Sequence, residues 1–164
     1  MPTPLVTQHY PHDFQVLTFI YTGAPADVPL LYADRDLVID SITIGVKTVS
    51  TGGAGTGLLS FEVSADPSST GGTVVAVANV DTANVAAGDT IFLDGINNSS
   101  GNVRKVSSAG TAGSASGSTQ LKYINATNTS VDNIVLAGRY LILDATTATA
   151  FTGLVQIRLR SQIA

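Results

Sequence analysis

The stretch that most limits what this chain can become runs from residue 37 to residue 65. "LVIDSITIGV" (37–46) alternates with a period of two, and so does "LLSFEVSA" (58–65), with the glycine-rich "STGGAGTG" between them. A period of two puts successive side chains on opposite faces of a strand, whereas a helix needs apolar residues three and four apart. In the first run Val38, Asp40, Ile42, Ile44 and Val46 fall opposite Leu37, Ile39, Ser41, Thr43 and Gly45. In the second, Leu59, Phe61, Val63 and Ala65 face inward and Ser60, Glu62 and Ser64 outward. Two such runs joined by a flexible turn predict a hairpin.

The flanking segments extend the pattern. "FQVLTFIY" (14–21) sets Phe14, Val16, Thr18 and Ile20 against Gln15, Leu17, Phe19 and Tyr21. Both faces are mostly apolar, so both are expected to be covered. "TGAPADVP" reads as a loop punctuated by Pro25 and Pro29, and "DPSSTGG" (66–72) as a turn. "TVVAVANV" (73–80) fits a strand or a short helix. "TGLVQIRLR" (152–160) is the last strand, with Leu154, Gln156, Arg158 and Arg160 opposite Val155, Ile157 and Leu159. The chain has a single glutamate, Glu62, and three lysines among abundant Thr, Val, Ser and Gly. Residues that fill exposed helices are scarce, which argues for an all-β fold.

The expected architecture is a single-domain, jelly-roll-like antiparallel β-sandwich over 14–164, preceded by an extended N-terminal arm over 1–13. The segment 95–119 is rich in Gly, Ser, Ala and Asn, and a structureless loop of that length is unusual inside a domain. A protruding Gly/Ser-rich hairpin insertion is therefore expected at about 95–125. "NVRKVSS" would be one arm, "TQLKYIN" (119–125) the other, and "AGTAGSASG" the mobile tip. Two further segments resemble each other: "VAAGDTIFLD" (85–94) and "VLAGRYLILD" (135–144) share Val, Ala, Gly, Leu and Asp at equivalent places. Each reads as a short strand entered through a glycine turn. They are either an old duplication or two strands solving one local problem.

Charge narrows the function classes. The net charge of −4 and a pI near 4.8 oppose a nucleic-acid partner, which needs a basic field. There is no cysteine, so thiolate chemistry and disulfides are excluded. The start, "MPTPLVTQHY", shows no secretory signal, and no apolar run approaches a membrane helix, so synthesis in the cytoplasm without a membrane partner is expected. Only 12% of residues are charged, about half the usual share. Such a surface suits a part buried in an assembly, because interface cores are depleted of charge. It suits an ordinary sandwich equally well.

Candidate chemistry is thin. The two histidines, His9 and His12, are followed by Asp13, but Pro11 between them denies the helix that would align them. No third imidazole exists, and zinc takes three or four protein ligands. Asp34 and Asp36 flank Arg35 without the spacing of a calcium loop, and read as a solvated turn. No G-x-S-x-G, Walker loop or dinucleotide fingerprint occurs. Arg104 and Lys105, the adjacent basic pair, read as hairpin charges rather than a phosphate clamp. Arg158 and Arg160 project from one face of the terminal strand, either to meet acids on a partner or to guard a sheet edge. No enzyme, metal or cofactor is expected.

The opening strand, the hairpin from "LVIDSITIGV" to "LLSFEVSA", and the closing "VLAGRYLILDATTATAFTGLVQIRLR" resemble capsid decoration (cement) proteins and head-fibre bases of tailed bacteriophages. The resemblance covers residues 14–65 and 131–160. It rests on the I-x-x-I/V core strand, the "AG-x-x-L" entry strand and a final strand opened by "TGLV". It implies a jelly-roll-like sandwich on the virion exterior, often a homotrimer, clamping neighbouring major capsid protein subunits. Under that reading the contact residues are expected at His9, Tyr10, His12 and Phe14 of the arm and at Arg158 and Arg160. The alternative is a carbohydrate- or receptor-binding module of a tail fibre or cell surface, carried by the 95–125 hairpin.

Overall fold

Period-two patterning sets strand after strand, and the computed structural model describes residues 6–9, 14–23, 27–51, 57–68, 72–94, 102–119, 133–145, 148 and 150–161. Within them lie twelve strands. The first six are Val6–His9 (β1), Phe14–Thr22 (β2), Asp27–Tyr32 (β3), Leu37–Thr48 (β4), Leu58–Ser64 (β5) and Thr73–Asn79 (β6). The others are Thr90–Leu93 (β7), Asn102–Val106 (β8), Ala112–Thr119 (β9), Ile134–Val135 (β10), Tyr140–Asp144 (β11) and Thr152–Ser161 (β12). The described residues contain no helix, so the fold is all-β and the ambiguous segment at 73–80 is a strand.

The strands form one sheet in the order β1-β2-β12-β4-β7-β8-β9-β6-β5-β11-β3, with β10 added to the start of β4. Every ladder is antiparallel. One hydrophobic cluster takes Leu17, Phe19, Ile42, Ile44, Val155 and Ile157 from one half of this order and Val28, Leu59, Phe61, Leu141 and Leu143 from the other. The sheet is therefore curled around a single core and is sandwich-like.

Strand β9 is where the sheet passes from one half to the other. Ala112–Ser116 pair with β8, and Gly117–Thr119 pair with β6. A Cβ on Gly117 would stand 2.5 Å from the Val77 carbonyl oxygen and 3.2 Å from Val103 Cγ2. The crossing strand needs a residue without a Cβ at 117, and "AGSASGST" supplies glycine there. This corrects the expected hairpin. Its second arm is 112–119, and most of the run read as a mobile tip is strand, with Ala112–Ser116 paired to β8 and Gly117 to β6. The turn is only 107–111, closed by Ser107 N donating to Thr111 O (2.9 Å) and Gly110 N to Ser107 O (2.8 Å). Residues 120–125 lie outside the described residues.

Strand β4 departs from simple alternation. Leu37 and Ile39 enter the core, and so do Ile42, Ile44 and Val46, although the two sets have opposite parity. The ladder with β12 slips between them: Ser41 faces Arg158 and Ile39 faces Leu159, leaving Asp40 as the extra residue. A bulge that adds one residue flips the inward side, so both sets can be buried. Other expectations also need correction. The outer face of β2 is not covered, since Ile20 is 46% exposed. The loop "TGAPADVP" gives way at Asp27 to β3, which lies at the end of the sheet, where a strand tolerates Pro29. Strand β12 runs between β2 and β4, so Arg158 and Arg160 do not guard an edge. Of the N-terminal arm, Val6–His9 is a strand laid antiparallel on β2.

The two look-alike segments share a geometry. In one, Asp89 N donates to Ala86 O (3.1 Å), Gly88 N to Val46 O (2.8 Å), and Val46 N to Asp89 O (2.8 Å). In the other, Arg139 N donates to Leu136 O (3.1 Å), Gly138 N to Ala33 O (2.8 Å), and Ala33 N to Arg139 O (2.9 Å). Gly88 and Gly138 have φ of 89° and 80°, a region that favours glycine. Each turn thus clasps the end of a neighbouring strand, β4 or β3, before running into β7 or β11.

Candidate functional site

The outer face of the first half of the sheet spans six strands, β2, β12, β4, β7, β8 and β9. Strand pairing aligns one row across six strands: Ile20, Leu154, Gly45, Thr90, Val106 and Ala112. The next row is Thr18, Gln156, Thr43, Phe92, Arg104 and Ser114. The alternate residues of β2, β12, β4 and β7 point into the core, which forces these outward. The first row carries no ionisable group. The only one in the second is Arg104, whose Nη2 donates to Asp94 Oδ2 at 2.6 Å while the guanidinium lies 3.9 Å over the Phe92 ring. Ile20 and Leu154 sit side by side, 46% and 40% exposed. At about 4.8 Å between strands and 7 Å between rows, the band covers roughly 350 Å².

Charges border this band. Arg158 lies opposite Val16 and Ser41 in the following row. Beyond it, Arg160 Nε donates to Asp40 Oδ1 at 2.7 Å, so the bulge residue of β4 holds the arginine. Of the arm residues, His9 closes β1 opposite Gln15, and the Phe14 backbone pairs with Arg160. Tyr10 and His12 lie outside the described residues. The structure therefore brings Arg158, Arg160 and the Phe14 backbone together at one end of the band.

The outer face of the other half is different in kind. Asp27 stands opposite Asp144, and Glu62 is one pair further along β5, opposite Ile142. Burial pushes the Glu62 carboxyl up, and the negative charges of Asp144 and Asp27 push it further. Tyr32 and Tyr140 pack with ring centroids 5.0 Å apart at the far end of the same strands. Among the described residues no three His, Cys, Asp or Glu side chains are grouped to hold a metal ion.

A third polar cluster binds the first clasp to the β8–β9 hairpin. Asp89 is buried at 4% exposure. Its Oδ2 accepts from Ala86 N at 2.9 Å and pairs with Lys105 Nζ at 3.2 Å. Lys105 also donates to Asn84 O (2.9 Å), Asn84 Nδ2 donates to Asp81 Oδ1 (2.7 Å), and Ser116 N donates to Asn84 Oδ1 (3.3 Å). Burial pushes the Asp89 carboxyl up, but hydrogen bonds from Ala86, Lys105 and Ser108 and the charge of Lys105 outweigh it and hold the group below the usual range. Arg104 and Lys105 thus form separate ion pairs on opposite faces of β8. The Asp34–Arg35–Asp36 turn makes a contact distant in sequence. Its Asp36 Oδ1 accepts from Ala137 N at 2.8 Å, which joins the second clasp to the start of β4.

Sequence reading missed the band because no residue in it is chemically unusual. Its signal is negative, the absence of charge at Thr18, Ile20, Thr43, Gly45, Leu154 and Gln156, and it appears only once the strand order is known. No protein-family profile, curated protein or solved structure matches the chain.

Proposed function

We propose that this chain is a structural virion protein of a tailed bacteriophage, bound to the outer surface of the head and bracing neighbouring major capsid protein subunits, rather than an enzyme. The observation that carries this reading is the charge-poor band, with Arg104 its one ionisable group and the exposed Ile20 and Leu154 at one end. Apart from Arg104, which is paired with Asp94, its side chains are apolar or neutral hydrogen-bonding groups, the composition found where protein surfaces meet and exclude water. The band's roughly 350 Å² is under half of the ~800 Å² per partner of a standard interface. One copy would hold weakly by this face alone. A homotrimer, as the family resemblance implies, multiplies the contacts, and linked weak contacts raise the effective affinity. The N-terminal strand and the Arg158–Arg160 end of β12 extend the contact at one border.

The test is co-sedimentation with empty heads, with light scattering to give the oligomeric state. Wild-type protein is expected to pellet with heads, Leu154→Lys to lose at least tenfold in affinity while keeping its β circular dichroism, and a chain lacking residues 1–12 to bind more weakly. If wild-type protein stays in the supernatant, or binds a glycan array instead, the virion reading is overturned. If Leu154→Lys binds as wild type, the band is not the contact.

A further inference from the structure

We draw no further inference here: the strongest candidate, the strip of Glu62, Asp144 and Asp27 beside the Tyr32–Tyr140 pair on the outer face of β3, β11 and β5, is an acidic cluster for which nothing in the structure shows what covers it.

Discussion

Replacing Asp89 with asparagine keeps the side-chain shape and removes the charge that ties the first clasp to the β8–β9 hairpin. Breaking a fully buried ion pair by removing one partner costs about 3–5 kcal/mol. Here the Lys105 side chain is 21% exposed, so its ammonium can regain water, and it keeps the Asn84 carbonyl. The cost is therefore placed at about 2–3 kcal/mol, at or just below the lower end of that range. For a chain of this size about 1 kcal/mol shifts Tm by 2–4 °C, so thermal unfolding followed by circular dichroism should show a fall of roughly 5–10 °C at neutral pH. The pH dependence has a definite sign. The folded-state pKa of Asp89 lies below its unfolded value. Its contribution is complete above the ordinary aspartate range and is lost as pH falls through the folded value. The gap between wild type and Asp89→Asn should narrow in acid. A Lys105→Met variant and the double variant complete a cycle whose coupling should be clearly non-zero. A Tm within about 1 °C of wild type at neutral pH, or a gap that stays constant into acid, would refute the reasoning.

Other expectations follow from single positions. The clasps share a backbone shape but not their surroundings: a Cβ at Gly88 would stand 2.7 Å from Ser108 Cβ, while one at Gly138 meets nothing within 4 Å among the described residues. Gly138→Ala should cost only the backbone strain, about 1 kcal/mol. Gly88→Ala should cost more in the same chemical denaturation series, and equal costs would contradict the close approach. Gly117→Ala must displace the Val77 backbone at the crossing strand and should destabilise by about 1–3 kcal/mol; an unchanged urea midpoint would mean that β9 does not pass so near β6. Glu62→Gln relieves the repulsion from Asp144 and Asp27. Because the folded-state pKa of Glu62 is raised, its ionisation costs stability as pH rises through the carboxylate range. The variant should therefore melt higher than wild type at neutral pH and converge with it in acid, and a lower Tm at neutral pH would reverse the assignment.

How far the sequence determines this molecule depends on whether the controlling contacts are local. Alternation at 37–46, 58–65 and 152–160 depends only on neighbours along the chain, and it marks out β4, β5 and β12 and the all-β class. The two glycine turns at 85–94 and 135–144 are legible for the same reason, since a positive φ is a property of one residue. The strand at 112–119 is not, because Gly, Ser and Ala have weak strand preference. They form β9 because two other strands pair with it and larger side chains would collide at Gly117.

The remaining decisions belong to the tertiary structure alone. A bulge at Asp40 lets Leu37 and Ile42 share one core, and its position comes from pairing with β12, far away in sequence. Placing β12 between β2 and β4 turns an apparent edge strand into an interior one and assembles the charge-poor band from six strands. Sequence therefore determined the strands with a clear burial period and the two glycine turns, through sterics and periodicity. Only the tertiary structure decided which strands meet, because that choice is made by burying side chains from distant segments in one core.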